Sequence, residues 1–85
     1  MRDWLDEWSR FIVPLRRGLG FQVLGAWTIE QDDRFVWIVG YDGPKTWDEA
    51  ERDYYESPER KALDPNPARH LAETGARLMH PVAVP

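Results

Sequence analysis

Acid–base chemistry near neutral pH would fall to His70 and His80, the two histidines of the chain, because imidazole titrates there. They stand ten residues apart with no second ligand at i+2 or i+4, and cysteine is absent. No metal signature exists, so no metal is assigned, and no cofactor either. His70 follows the turn Asp64-Pro65-Asn66-Pro67. A single histidine in that setting is a candidate general base, but is more often a packing or surface residue.

Tyr54 and Tyr55 are neighbours in a helical pattern, so their side chains diverge by roughly 100° and only one can face a core. The other, with Glu59 and Arg60 of the next turn, would form the polar rim of a pocket in which the guanidinium holds a carboxylate. The plainer reading is a helix-capping segment, and it is preferred. Trp27 and Trp37 fall on adjacent strand-like runs and either line an aromatic cavity for a flat ligand or fill a core. Core filling is preferred, since a domain this small has few other places for them. Asp48 and Arg52 form an i,i+4 surface pair worth a few tenths of a kcal/mol. No Gly-rich phosphate loop, nucleophile elbow or spaced pair of carboxylates assembles a reaction centre.

Eighty-five residues make one domain, 1–85, burying only roughly 60–65% of the surface its unfolded chain exposes. Hydrophobic residues at 42% and charged residues at 31% argue against disorder despite seven prolines. Five tryptophans, three tyrosines and three phenylalanines each need on the order of 150–250 Å² of cover, more than a thin core supplies. Part of that cover is expected from a partner. The net charge of −4 and the lack of a basic stripe count against nucleic acid. The longest apolar run, within 35–41, is far below the roughly 20 residues that span a bilayer, and the N-terminal segment is acidic and amphipathic. With no cysteine to staple a small secreted domain, the cytoplasm is the expected location.

The elements that must hold these residues follow from periodicity. Trp4, Leu5, Trp8, Phe11, Ile12 and Leu15 recur at helical spacing over 2–17, with Pro14 loosening the last turn and Gly18 and Gly20 ending it. Residues 21–30 and 34–41 are β-branched and aromatic runs joined by Gln31-Asp32-Asp33, an antiparallel hairpin. Strict alternation puts Phe21, Val23, Gly25, Trp27 and Ile29 on one face of the first strand. In the second, Phe35, Trp37, Val39 and Tyr41 oppose Val36 and Ile38, so both of its faces are apolar. Thr46 with Glu49 is a capping box, Ser57-Pro58 a second cap carrying a short helix to Leu63, and 68–74 a further turn. Residues 77–84 read as a last strand, limited by Pro81 to an edge or bulge. The order is αββαβ, an α+β domain with helices on one face of an antiparallel sheet. The other face would be an apolar patch unless a second copy covered it through Val36 and Ile38.

The stretches GFQVLGAWTIEQDDRFVWIVGYDG, YYESPERKAL, DPNPARHL and RLMHPV resemble the NIPSNAP family over most of the chain. Gly20, Gly25, Trp27, Arg34, Trp37, Tyr41, Tyr54, Tyr55, Ser57, Glu59 and Arg60 carry the likeness. The resemblance implies a ferredoxin-like fold paired sheet to sheet as a dimeric α/β barrel. It departs in one respect: such domains begin with a strand ahead of the first helix, whereas Met1 sits at that helix. The absent strand would lie centrally, between the last strand and 34–41. A strand encoded upstream of Met1, closure of the last strand onto 34–41, or a strand from the dimer mate would each fill the slot. The first is favoured, because unpaired buried backbone is costly.

Three functions are consistent with these readings. The preferred one is a homodimeric binding or interaction module, with a small apolar or aromatic ligand in a pocket drawn from Trp27, Trp37, Tyr54, Tyr55, Arg60 and His70. The alternative is a small cofactor-independent enzyme of the dimeric α/β barrel type, monooxygenase-like or isomerase- or decarboxylase-like, which requires Tyr55, Arg60 and His70 to converge on one point. The third is a subunit completed by a longer relative that donates the absent strand.

Overall fold

The structure, a computed structural model, describes residues 1–85. The N-terminal helical run has three parts: α1 (Arg2–Glu7), a π-helical turn (Trp8–Ile12) and α2 (Val13–Gly18). The wide turn sits immediately before Pro14, whose ring would collide with the carbonyl of Arg10 in a regular helix. The Val13 N–H reaches back five residues to the Trp8 carbonyl, which opens the helix at that point. The helix ends in a paired reversal: Phe21 N–H donates to the Arg16 carbonyl at 3.0 Å and Gly20 N–H to the Arg17 carbonyl at 3.1 Å. Gly20 has φ of 94°, the left-handed conformation this closure needs and glycine adopts without strain.

Strands β1 (Gln22–Ile29) and β2 (Arg34–Gly40) form the expected antiparallel hairpin. A short 3-10 turn, Glu30–Asp32, and Asp33 at φ 48° join them. The register runs Val23 to Val39, then Gly25 to Ile38 and Trp27 to Val36, so Leu24 is an extra residue in a β-bulge. The bulge overturns strict alternation. Directly paired residues share a face, so Val23 and Ala26 stand with Val39 and Trp37, while Gly25, Trp27 and Ile29 stand with Ile38, Val36 and Arg34. Trp27 lies flat along its own strand: a Cβ on Gly25 would meet the indole at 2.8 Å.

The helices cover the face of Phe35, Trp37 and Val39. Trp4 meets Phe35 edge-on at 5.8 Å, and Trp8 meets Phe35 and Trp37 at 5.0 and 5.5 Å. Helix α3 (Trp47–Glu56) starts at the Thr46 cap, whose hydroxyl oxygen accepts from Glu49 N–H at 3.2 Å. The Glu49 carboxylate receives the Thr46 hydroxyl at 2.9 Å, rather than a backbone N–H as a full capping box would have it. α3 brings Ala50 and Tyr54 onto Phe21 to make the core, with Leu15, Val39, Tyr41 and Trp47 around it. Only ten residues of the chain are buried, so this core is as thin as chain length requires.

Ser57 caps α4 (Pro58–Lys61), and Asn66 caps a 3-10 turn at Pro67–His70. These two turns are shorter or earlier than the sequence pattern suggests. The largest correction is to 77–84: the sheet has two strands, and no strand forms there. Pro81 removes one ladder donor, and the sheet's two strands pair only with each other. The architecture is therefore a small α+β arrangement of helices on a two-stranded antiparallel sheet. No helix is long and apolar enough to cross a membrane.

Candidate functional site

Tyr54 and Tyr55 divide as their spacing dictates: Tyr54 is 1% exposed and Tyr55 53%, with rings edge to face at 4.9 Å. Two buried arginines lie against them. Arg16, on the last turn of α2, sets its guanidinium 3.8 Å from the Tyr54 ring centre and 4.7 Å from that of Phe21. Its charge is met by Glu51 of α3. Arg60, on α4, lies 5.9 and 5.7 Å from the Tyr54 and Tyr55 rings and donates through Nη2 to Asn66 Oδ1 at 3.1 Å. Burial pushes the Tyr54 hydroxyl above the usual phenol range, and the positive charges of Arg16 and Arg60 oppose that shift.

Local structure fixes this cluster. Ser57 Oγ donates to the Tyr54 carbonyl at 2.7 Å and accepts from Arg60 N–H at 3.2 Å, so one hydroxyl ties the end of α3 to the start of α4. Asn66 Oδ1 also accepts from Ala68 N–H at 3.0 Å, which holds the following turn beside Arg60. Between them lies an open depression of about 430 Å³ lined by Tyr55, Arg60, Lys61, Leu63, Asn66 and Ala68. Nε of Arg60, like that of Arg16, is buried without a partner.

His70 is not part of that depression. Its Nε2 contacts Glu7 Oε2 at 2.7 Å, and Arg69 grips both oxygens of the same carboxylate at 2.7 and 2.8 Å. These hydrogen bonds from Arg69, and then from His70, lower the Glu7 carboxyl to about 2. The result is a clasp between α1 and the turn at Pro67–His70.

The six residues expected to form one pocket therefore separate. Tyr54, Tyr55 and Arg60 come together. Trp37 joins their outskirts through Arg16, which lies 5.6 Å from its ring. Trp27 is on the opposite face of the sheet because the bulge at Leu24 reverses its side, and His70 is held by Glu7. Tyr55, Arg60 and His70, which an enzyme reading needs at one point, do not converge. No three side chains of metal-ligating type are grouped.

Sequence reasoning missed Arg16, Glu51 and Glu7. Arg16 carried a usable signal, since it falls four residues after Ile12 and eight after Trp8, on the apolar stripe. Glu7 carried none, because its partner Arg69 is 62 residues away. Val36 and Ile38 point where the sequence reading put them, to the face no helix covers. There Trp27 is 54% and Leu24 64% exposed, with Leu24 leaning toward Gly40. No family model matches the chain, and no curated protein or solved structure matches it.

Proposed function

We propose that this chain is a NIPSNAP-like, cytoplasmic homodimeric interaction module whose two sheets pack against each other as a dimeric α/β barrel. The observation that carries the reading is the uncovered sheet face, where Leu24, Trp27, Ile29 and Val36 are all exposed and Ile38 stands among them. A contiguous apolar surface of this kind marks an interaction site, and a two-fold axis would set the face of one copy against the same face of the other. Sedimentation velocity tests it. The wild-type chain should sediment as a dimer, and Val36→Glu with Ile38→Glu should yield monomer, since the new charges would be buried unpaired. A wild-type monomer overturns the reading.

A second reading, compatible with the first, is favoured by the two cationic side chains, Arg60 and Lys61, that line the depression beside the exposed Tyr55 ring. The depression they line suits a small aromatic carboxylate, with the ring against Tyr55 and the carboxylate at Arg60 and Lys61. Titration with benzoate, followed by NMR, should shift amides of 55–68 in the wild type and lose that response in Arg60→Gln. Amides of 55–68 unmoved by benzoate in the wild type would remove it.

A further inference from the structure

The two strands of the hairpin are built differently. β1 carries a bulge at Leu24 and a glycine at 25, features by which edge strands discourage further pairing. β2 has no bulge and no glycine before its last residue: Arg34–Gly40 runs regularly, without proline or lysine, and from Phe35 to Val39 its side chains are apolar on both faces. That is the composition of an interior strand. Yet β2 has a neighbour on one side only, and its outward N–H and C=O groups make no backbone hydrogen bond. An isolated two-stranded ribbon is marginal in water, and a third strand is what makes such a sheet stable.

The chain carries one other strand-like segment, also without a partner. Leu78, Met79, Val82 and Val84 are between 66% and 89% exposed, and the backbone over 77–84 makes no backbone hydrogen bond to the rest of the molecule. It is long enough to run the whole of β2, Arg34–Gly40. Pro81, which rules out a central position, is admissible in a strand that pairs on one side only. The segment leaves the body of the molecule after the clasp of Arg69 and His70 on Glu7, so its root is fixed and its remainder free. A donor strand and an acceptor edge in one sequence, unpaired with each other in the single chain, are the components of a reciprocal exchange between two copies.

We infer that the outer edge of β2 accepts residues 77–84 of a second copy as a third strand, so that each chain of the dimer completes the sheet of the other. This rests on the homodimer reading above and adds to face-to-face packing a backbone-paired edge. Successive amides of β2 point alternately toward β1 and away from it, which separates the two contributions.

Residue-resolved hydrogen exchange by NMR reads this directly. In the wild-type dimer both alternating sets of β2 amides should be protected. Removal of 77–85 should speed exchange of the outward set at least tenfold and leave the inward set unchanged. Met79→Pro, which alters only the exposed segment, should do the same and serves if the shortened chain does not fold. Equal exchange of the outward set in wild type and both variants overturns the inference, while a dimer that still dissociates on Val36→Glu with Ile38→Glu leaves the face reading standing. Because the chain lacks cysteine, copies bearing Val39→Cys mixed with copies bearing Val82→Cys should form an intermolecular disulfide. If instead the double-cysteine chain oxidises to a cross-linked monomer and the mixture does not couple, the segment closes on its own sheet and exchange is excluded.

Discussion

The two faces of the hairpin are made from the same kinds of residue and meet different fates. On one, Phe35, Trp37 and Val39 are covered by Trp4, Trp8, Phe21 and the helices behind them. On the other, Trp27, Val36 and Ile38 have nothing of their own chain above them. The difference lies in supply rather than in hydrophobicity: two helical layers can lie on only one side of a sheet this small. Leu24 sets the division. Its bulge lets Phe21 and Val23 join the covered side while Trp27 and Ile29, four and six residues beyond Val23, join the open one.

The strongest test of this contrast is truncation on each side. Tyr54→Ala, beneath the covered face, should cost roughly 3–5 kcal/mol in urea unfolding, the range for large aromatic residues removed from a core. Val36→Ala should change the stability of the dissociated chain by only about 0.5 kcal/mol, as exposed substitutions do. Similar losses at both positions would mean that the open face is covered within one chain.

A smaller effect is expected at Gly25, where an added Cβ meets the Trp27 indole at 2.8 Å. Because that ring is half exposed and free to lift, Gly25→Ala should leave stability within about 1 kcal/mol of wild type while moving the Trp27 indole N–H resonance. An unmoved resonance would place the ring elsewhere. The smallest effect concerns the clasp on the covered side. Glu7 titrates at about 2 in the folded chain against 4.5 as its ordinary value. Its carboxylate therefore stabilises the fold fully above pH 4.5, and the contribution is lost as pH falls toward 2. Glu7→Gln should flatten that part of a melting-temperature profile, and a slope identical to wild type between those values would discount the clasp.

Much of this was legible in the residues. The stripe from Trp4 to Leu15, the Thr46 cap, the Ser57-Pro58 restart and the parting of Tyr54 from Tyr55 are local patterns, set within a turn or two of chain. Opposed apolar residues at Trp37 and Ile38 foretold one covered face and one open one. The bulge was less legible, although Gly25 inside a strand is a recognised sign of one, and missing it exchanged the sides of Trp27. The reading of 77–84 as a strand failed because a strand depends on its neighbour, which composition does not supply. Glu7 with Arg69 could not be read at all, since an ion pair across most of the chain leaves no periodic trace.

Arg16 closes the helix through its carbonyl, which holds Phe21 N–H, and reaches the rings of Phe21 and Tyr54 through its guanidinium. One residue thus decides both where the helix stops and where the first core ring is delivered. Termination and core assembly become a single cooperative event, so a chain with its helix one residue too long would present Phe21 to the wrong side and lose the nucleus of packing along with the turn.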